Sequence, residues 1–295
     1  MRFDGARILV TGASGFVGQH LVARLLADGA LVHTAQRRTS PRDDQDRLFP
    51  HVFDLNDAAA MQSALQTARP DIVFHLAASR SERDWSDLVA TNISAPLTLL
   101  QACAAHKVRR FVSLGSSLEM LDAPPSAYGA SRKAGSIIHR QEAARLGLSR
   151  IHVRTGYVYG ADMPTGKFIP AAIRAQQTGD VLSIVGSDIK RNYVYVNDVV
   201  QACRKAAAAI AGSSIEVNAI SPVAHSAAEV VSALEHIAGR PIQTRLTKGM
   251  GRSWDTFNWS DISASAEREL GWHPEFGLQQ GLADMVSRLE THHAL

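Results

Sequence analysis

The stretch SAYGASRKAG, Ser126 to Gly135, sets a phenol four residues before one cation and five residues before another. On a helix, at about 100° per residue, Arg132 lies about 40° round the axis from Tyr128, and Lys133 about 140° away. A cation on the face of a tyrosine favours its phenolate, and a tyrosine so poised can pass a proton to or from a substrate oxygen. Arg132 is therefore the expected partner of Tyr128. A single π-bulge after Tyr128 would reverse the choice, turning Lys133 inward and Arg132 aside.

A second constellation lies near the N-terminus. In LVTGASGFVGQHLV, Gly12, Gly15 and Gly18 are spaced GxxGxxG between an apolar run and a helix-like one. The first glycine permits the turn, the second lets a diphosphate approach the backbone, and the third packs the helix on the sheet. The helix start then offers N–H groups and a positive dipole end to the phosphates. Ser14, Phe16 and Val17 share this loop and count with the three glycines as cofactor-binding residues. The carboxylate that would hold the adenosine ribose hydroxyls is expected about 20 residues further on. That place carries Gln36, Arg37 and Arg38. Arginine pairs with a 2′-phosphate that a carboxylate would repel, so NADP(H) is favoured over NAD(H).

These groups need a scaffold, and the apolar patterning predicts one. ARILVTG, ALVHTAQ, DIVFHLAA, RFVSLGSS and SRIHVRTGYVYG read as strands, alternating with helical segments such as GQHLVARLLADG and NDAAAMQSALQTARP, the latter with Asn56 at its N-cap. Alternation of this kind implies βαβ units and a doubly wound, Rossmann-type parallel sheet of the α/β class. After Gly160, prolines and glycines loosen the pattern until RNYVYVNDVVQACRKAAAAI and SIEVNAI restore strand and helix. The expected division is a dinucleotide-binding domain over 1–160 and 190–220, interleaved with a smaller substrate lobe over 161–189 and 221–295. With 295 residues, 45% hydrophobic and 20% charged, the chain has ample material for both cores.

Composition narrows the partners. The net charge of +3 is dispersed, which argues against nucleic acid. Two cysteines, Cys103 and Cys203, make no disulfide framework and fit a reducing, cytoplasmic setting. No apolar run approaches the ~18 residues of a membrane span, and MRFDGARILVTG enters a strand too soon for a signal peptide. The twelve histidines lack metal-ligand spacing, so no metal is expected.

At this point the chain resembles the extended short-chain dehydrogenase/reductase family, whose members mostly act on nucleotide-activated sugars. TGASGFVG is similar to its glycine loop. FDLND resembles its acidic-Leu signature, which implies Asp54 and Leu55 near the adenine. HLAA, His75 to Ala78, resembles the segment along the cofactor's diphosphate, implying Leu76, Ala77 and Ala78 as contacts, with Ser79 beyond them toward substrate. Asn92 matches a retained asparagine counted with the cofactor site. RTGYVYG resembles the family's RPGxVYG motif, with Thr155 for the proline and with Tyr157 at a substrate-facing place. RNYVYVNDVV resembles a stretch whose arginine, here Arg191, contacts the sugar nucleotide's diphosphate. ELGWHPEFGLQQGL is similar to a C-terminal segment of the same family.

The resemblance further implies a catalytic set of a hydroxyl, a tyrosine and a lysine four residues later. Tyr128 fits the tyrosine, and Arg132 stands where the lysine belongs. Ser117 is preferred to Ser116 as the hydroxyl, and it precedes Tyr128 by an unusually short eleven residues. Sugar dehydratases of the family carry an Asp-Glu pair after the hydroxyl residue; here the pair reads Leu118-Glu119, which disfavours loss of water. The absent ribose carboxylate disfavours NAD-retaining epimerases. The reading that remains is an NADPH-dependent ketoreductase of a nucleotide-linked sugar, a 4-keto-6-deoxy sugar first among them. Its alternatives are an epimerase or dehydratase, a reductase of a small ketone, and a non-enzymatic NADP(H) sensor. Helix pairing in the family implies a homodimer.

Overall fold

The structure, a computed structural model, describes residues 3–38, 45–186, 189–210, 214–247, 259 and 264–293. It divides into two compact units, one of Met1–Arg154 with Val200–Val217 and one of Thr155–Val199 with Asn218–Leu295.

The first unit is built on a seven-stranded sheet. Its strands are β1 (Arg7–Thr11), β2 (Leu31–Gln36), β3 (Leu48–Val52), β4 (Ile72–His75), β5 (Arg110–Ser116), β6 (Arg150–Thr155) and β11 (Ile215–Ala219), in the order β11-β6-β5-β4-β1-β2-β3. The pairs β1–β2, β1–β4, β2–β3 and β4–β5 are parallel. Ile8, Leu9 and Val10 of β1 are buried, as expected of a central strand covered on both faces. One covering layer packs α2 (Ala58–Ala68) and α4 (Ala95–Ala105) through Met61, Leu65, Leu99, Leu100 and Cys103 onto Leu9, Val73 and Phe111. The strand order reverses between β2 and β4 on either side of β1. That reversal opens a crevice at the C-terminal ends of the strands, where such sheets bind ligands.

Local detail corrects several expectations. The N-cap of α2 is Asp57 and not Asn56, its carboxylate accepting from the Ala60 N–H at 3.0 Å. SRIHVRTGYVYG is two strands, β6 and β7 (Tyr157–Tyr159), broken at Gly156, where a side chain would run into the Asn192 carbonyl at 2.7 Å. The helix α5 (Ala127–Arg145) is regular after Tyr128, so no bulge turns Lys133 inward. A π turn appears instead over Ala90–Ser94, joining α3 (Trp85–Val89) to α4. The joined run Trp85–Ala105, 21 residues with mean hydropathy 1.4, is long and apolar enough by composition to cross a membrane, against the sequence expectation. Its Leu88, Asn92, Leu99, Leu100 and Cys103 are buried within the protein.

In the second unit, β7 pairs in parallel with β10 (Tyr193–Tyr195), and β9 (Lys190–Arg191) pairs antiparallel with β12 (His225–Ser226). The β7–β10 pairing draws residues 155–160 and 190–199 into this unit, whereas the pattern alone assigned them to the first. Asp198 joins two motif segments: its carboxylate accepts from the Glu275 and Phe276 N–H groups at 2.9 and 3.3 Å, and its carbonyl accepts from the indole of the buried Trp272 at 2.9 Å.

Candidate active site

The glycine loop lies between β1 and α1 (Phe16–Ala27). Gly12 has φ +69°, and a Cβ there would meet the Ala77 backbone nitrogen at 2.6 Å. The turn after β1 and the Leu76–Ala78 loop after β4 therefore close on each other across the switch point. A Cβ on Gly18 would strike the Gly12 carbonyl at 2.1 Å, which makes Gly18 the packing glycine. Gly15 is exposed and caps α1 with no side chain, and no acid stands in the first turn. The helix dipole there is left open to an anion. Ser14 is exposed beside it, with Phe16 and Val17 half-buried. These residues fit a dinucleotide diphosphate.

At the end of β2, Gln36 is buried while Arg37 and Arg38 are exposed. Asp54 is exposed, and its Oδ1 accepts from both the backbone and the side-chain nitrogen of Asn56 at 2.8 Å, while Leu55 packs against the core. That oxygen shapes the entry to α2, a task the motif does not reveal.

Asn92, expected at the cofactor site, also has a structural duty. Buried in the π turn, it accepts the Ser79 N–H at 2.8 Å and donates to the Ser79 carbonyl and the Ser131 hydroxyl, both at 3.0 Å. Ser131 in turn donates to the Tyr128 carbonyl at 2.8 Å. Asn92 thus fastens the loop after β4 to the start of α5, with both of its amide donors used in doing so.

The two serines divide clearly. Ser116 caps the 3-10 turn Ser117–Met120, its hydroxyl accepting from Leu118 N–H at 3.3 Å while Glu119 reaches back to the Ser116 N–H at 2.9 Å. Ser117 is buried in that turn and makes no side-chain hydrogen bond among the described residues. Its hydroxyl is the one available to a ligand. The turn packs against the start of α5, where a Cβ on Gly129 would meet Leu118 at 3.4 Å.

Tyr128 is half-buried in the first turn of α5, whose N-cap Ser126 accepts from the Gly129 N–H at 3.0 Å. Arg132 follows it on the same face but points into the protein. Its Nε lies 3.2 Å from Glu119 Oε1, and Nη2 donates to the Leu114 carbonyl. Burial works against its charge, but Glu119 and then Tyr128 hold its pKa above the ordinary arginine value. Lys133 donates to the Leu121 and Asp122 carbonyls at 2.6 and 3.1 Å, tying down the short connection between β5 and α5. The third cation is one the motifs did not single out. Arg80, exposed on the loop after Ser79, places its Cζ 5.9 Å from the centre of the Tyr128 ring.

Behind Arg132 is a buried polar cluster. Glu119 Oε2 accepts from His152 Nε2 at 2.6 Å, and His152 Nδ1 is 2.7 Å from the Ser113 hydroxyl. Burial would raise Glu119, but His152 first and Arg132 next outweigh it and hold the carboxyl down at about 2. Burial lowers His152 despite Glu119, so a neutral imidazole donates to an ionised carboxylate. Gly115 makes room for that ring, since a Cβ there would meet His152 Nε2 at 2.3 Å. Sequence reasoning noticed Glu119 but not His152, whose partners stand 33 and 39 residues away.

In the second unit, Arg191 and Tyr157, both expected at the substrate, stand together with the guanidinium 5.6 Å above the ring. Among the described residues no three His, Cys, Asp or Glu side chains gather as metal ligands.

Residues 8–218 match the NAD dependent epimerase/dehydratase family. The chain is 30% identical to a UDP-glucose 4-epimerase of Mycolicibacterium smegmatis, over 95% of this chain and 97% of that one. It is 27% identical to a dTDP-4-dehydro-6-deoxy-D-allose reductase of Streptomyces bikiniensis, over 84% and 86%. Among solved structures it is similar to MoeE5 in complex with UDP-glucuronic acid and NAD, with TM-score 0.84 and 29% identity over 98% of this chain and 100% of that one.

Proposed function

From the premise that the chain belongs to the NAD dependent epimerase/dehydratase family, we propose that it is a 4-epimerase of a nucleotide-linked sugar. The enclosure of Glu119 by His152 and Arg132 argues against dehydration, and the near full-length likeness to a 4-epimerase carries the reading over reduction. Dehydration needs an acid beside the tyrosine, and this carboxylate is committed elsewhere. Oxidation and reduction at a single carbon need one proton carrier, and Tyr128 supplies it. The likeness to the UDP-glucose 4-epimerase over nearly the full length supports epimerisation over a one-way reduction.

A nicotinamide dinucleotide bound there would supply the acceptor and donor of hydride at the sugar C4, and inversion requires the intermediate ketone to present its opposite face when the hydride returns. Gly12, Gly15, Gly18 and the start of α1 hold its diphosphate, and the Leu76–Ala78 loop borders it. The Tyr128 phenol oxygen takes the proton of the 4-hydroxyl and gives it back, and the Ser117 hydroxyl fixes that oxygen. Arg191 receives the substrate's diphosphate.

A second reading is the NADPH-dependent 4-ketoreductase expected from the sequence. It is favoured by Gln36, Arg37 and Arg38 at the place of a ribose carboxylate, and by the likeness to the allose reductase. One experiment separates the two. UDP-glucose and UDP-glucuronic acid are incubated with the protein and catalytic NAD, and the products are read by NMR; a dTDP-4-keto-6-deoxy sugar is offered separately with NADPH. Formation of the 4-epimer without net cofactor consumption supports the epimerase. NADPH consumption with the keto sugar alone supports the reductase. Cofactor binding with no turnover of any of these substrates would remove both readings and favour a sensor.

The homodimer belongs to the same reading. Ile137 and Ile138 of α5 are 47% and 40% exposed and lie beside Leu97 and Gln101 of α4, a two-helix face suited to a second copy.

A further inference from the structure

We propose that Tyr157 is the positioning residue of Arg191, an aromatic shelf that holds its guanidinium for the diphosphate of a nucleotide-linked substrate. The inference rests on the reading of Arg191 as the diphosphate residue. The guanidinium carbon of Arg191 lies 5.6 Å from the centre of the Tyr157 ring. That is inside the ~6 Å at which a ring face attracts a cation. Both residues belong to the second unit, so the pair is complete within one body. Both are half-buried, which leaves the contact within reach of a ligand.

The backbone sets the two side chains against each other. The Tyr157 N–H donates to the Asn192 carbonyl at 3.1 Å, and Gly156 permits that approach, since a Cβ there would meet the same carbonyl oxygen at 2.7 Å. Tyr157 pairs in register with Tyr193, two residues beyond Arg191. Arg191 itself is held in β9, opposite His225 of β12. The Tyr157 ring also stands on an aromatic column. Its centre is 6.0 Å from that of Tyr193, Tyr193 is 6.1 Å from Tyr159, and Tyr159 is 5.4 Å from Tyr195. Those three rings are buried, so the shelf has a firm backing. A carboxylate in place of the ring would hold Arg191 and neutralise it. A ring face holds a guanidinium and leaves its charge for an anion. A long side chain loses rotamer freedom when it meets a ligand, and a shelf that restricts it beforehand reduces that loss.

The test uses the full chain with UDP and dTDP as probes, and the dissociation constant of the tighter one is followed by calorimetry. Arg191→Ala should weaken binding. Tyr157→Leu should weaken it by about 2- to 30-fold, whereas Tyr157→Phe, which keeps the ring, should stay close to the unmodified chain. Tyr157→Leu added to Arg191→Ala should cost nothing more, because the ring acts through the guanidinium. Tyr157→Met runs the same cycle should the Leu variant fail to fold. Unchanged affinity in Tyr157→Leu beside a loss in Arg191→Ala would overturn the shelf and leave Arg191 in its role. Equal losses in Tyr157→Phe and Tyr157→Leu would also overturn it, since the hydroxyl would then meet the ligand itself. Losses that add in the double variant would do the same, by showing that the two residues act independently. If Arg191→Ala leaves the affinity unmoved, or the unmodified chain binds neither probe, the diphosphate reading of Arg191 falls first and the shelf falls with it.

Discussion

Arg132 and Glu119 form an enclosed ion pair, Nε to Oε1 at 3.2 Å, with both side chains almost wholly buried. Arg132 occupies the place of the family's lysine, yet its geometry gives it a structural duty first. Removing one member of such a pair leaves an uncompensated buried charge, which typically costs about 3–5 kcal/mol. Arg132→Ala should lower stability by that order in urea melts. A loss below about 1 kcal/mol would show that the pair is dispensable, and any loss of activity could then be assigned to catalysis. Arg132→Lys should keep most of the stability, because an ammonium can still meet Glu119.

Acid should destabilise the fold early. Burial lowers His75 and His152, and lowers His33 and His139 to about 4, each from an unfolded value near 6.5. A histidine depressed in the fold binds fewer protons there than in the unfolded chain. Its contribution is present above about 6.5 and is lost as pH falls from there toward 4. Glu119, held at about 2 against an ordinary 4.5, adds a further loss below 4.5. Urea midpoints should therefore fall steeply below about pH 6.5, and the fall should be shallower in His139→Gln. A midpoint constant from neutral pH down to about 5 would contradict the buried neutral histidines.

Tyr128→Phe should reduce turnover by about 10²-fold or more and leave cofactor affinity unchanged, since only the proton carrier is removed. The measurement is initial rate beside a binding titration. Retained turnover would end the role.

Ser116 and Ser117 should respond oppositely. Ser116→Ala removes a cap and should cost about 0.5–2 kcal/mol of stability, with a modest effect on rate. Ser117→Ala removes an unengaged hydroxyl and should lower kcat by about 10²-fold with little change in the melt. Comparing kcat and denaturation midpoint in both variants decides the assignment.

Cofactor preference should sit in Arg37. If the reductase reading holds, NADPH binds more tightly than NADH, and Arg37→Ala removes about 10- to 150-fold of that difference. Equal affinities in the unmodified protein would favour an NAD-retaining epimerase.

The sequence by itself determined the doubly wound sheet and the glycine loop, because both are local: alternating apolar runs, and glycines required by a φ of +69° at Gly12 and by the close approach at Gly18. Helical geometry likewise placed Arg132, and not Lys133, on the face of Tyr128. What that guanidinium does was decided by tertiary structure, since Glu119 and Leu114 reach it from 13 and 18 residues away. The same holds for Asn92, read as a cofactor contact and found bridging a loop to a helix 39 residues on. Arg80 was invisible for a related reason: its target lies 48 positions further along (128 less 80), and only the meeting of the β4 loop with α5 brings a guanidinium over that ring. Motifs encode residue types at fixed spacing along the chain. Which of several neighbouring charges is neutralised by a partner depends on burial and on strand order, and neither is written in local spacing.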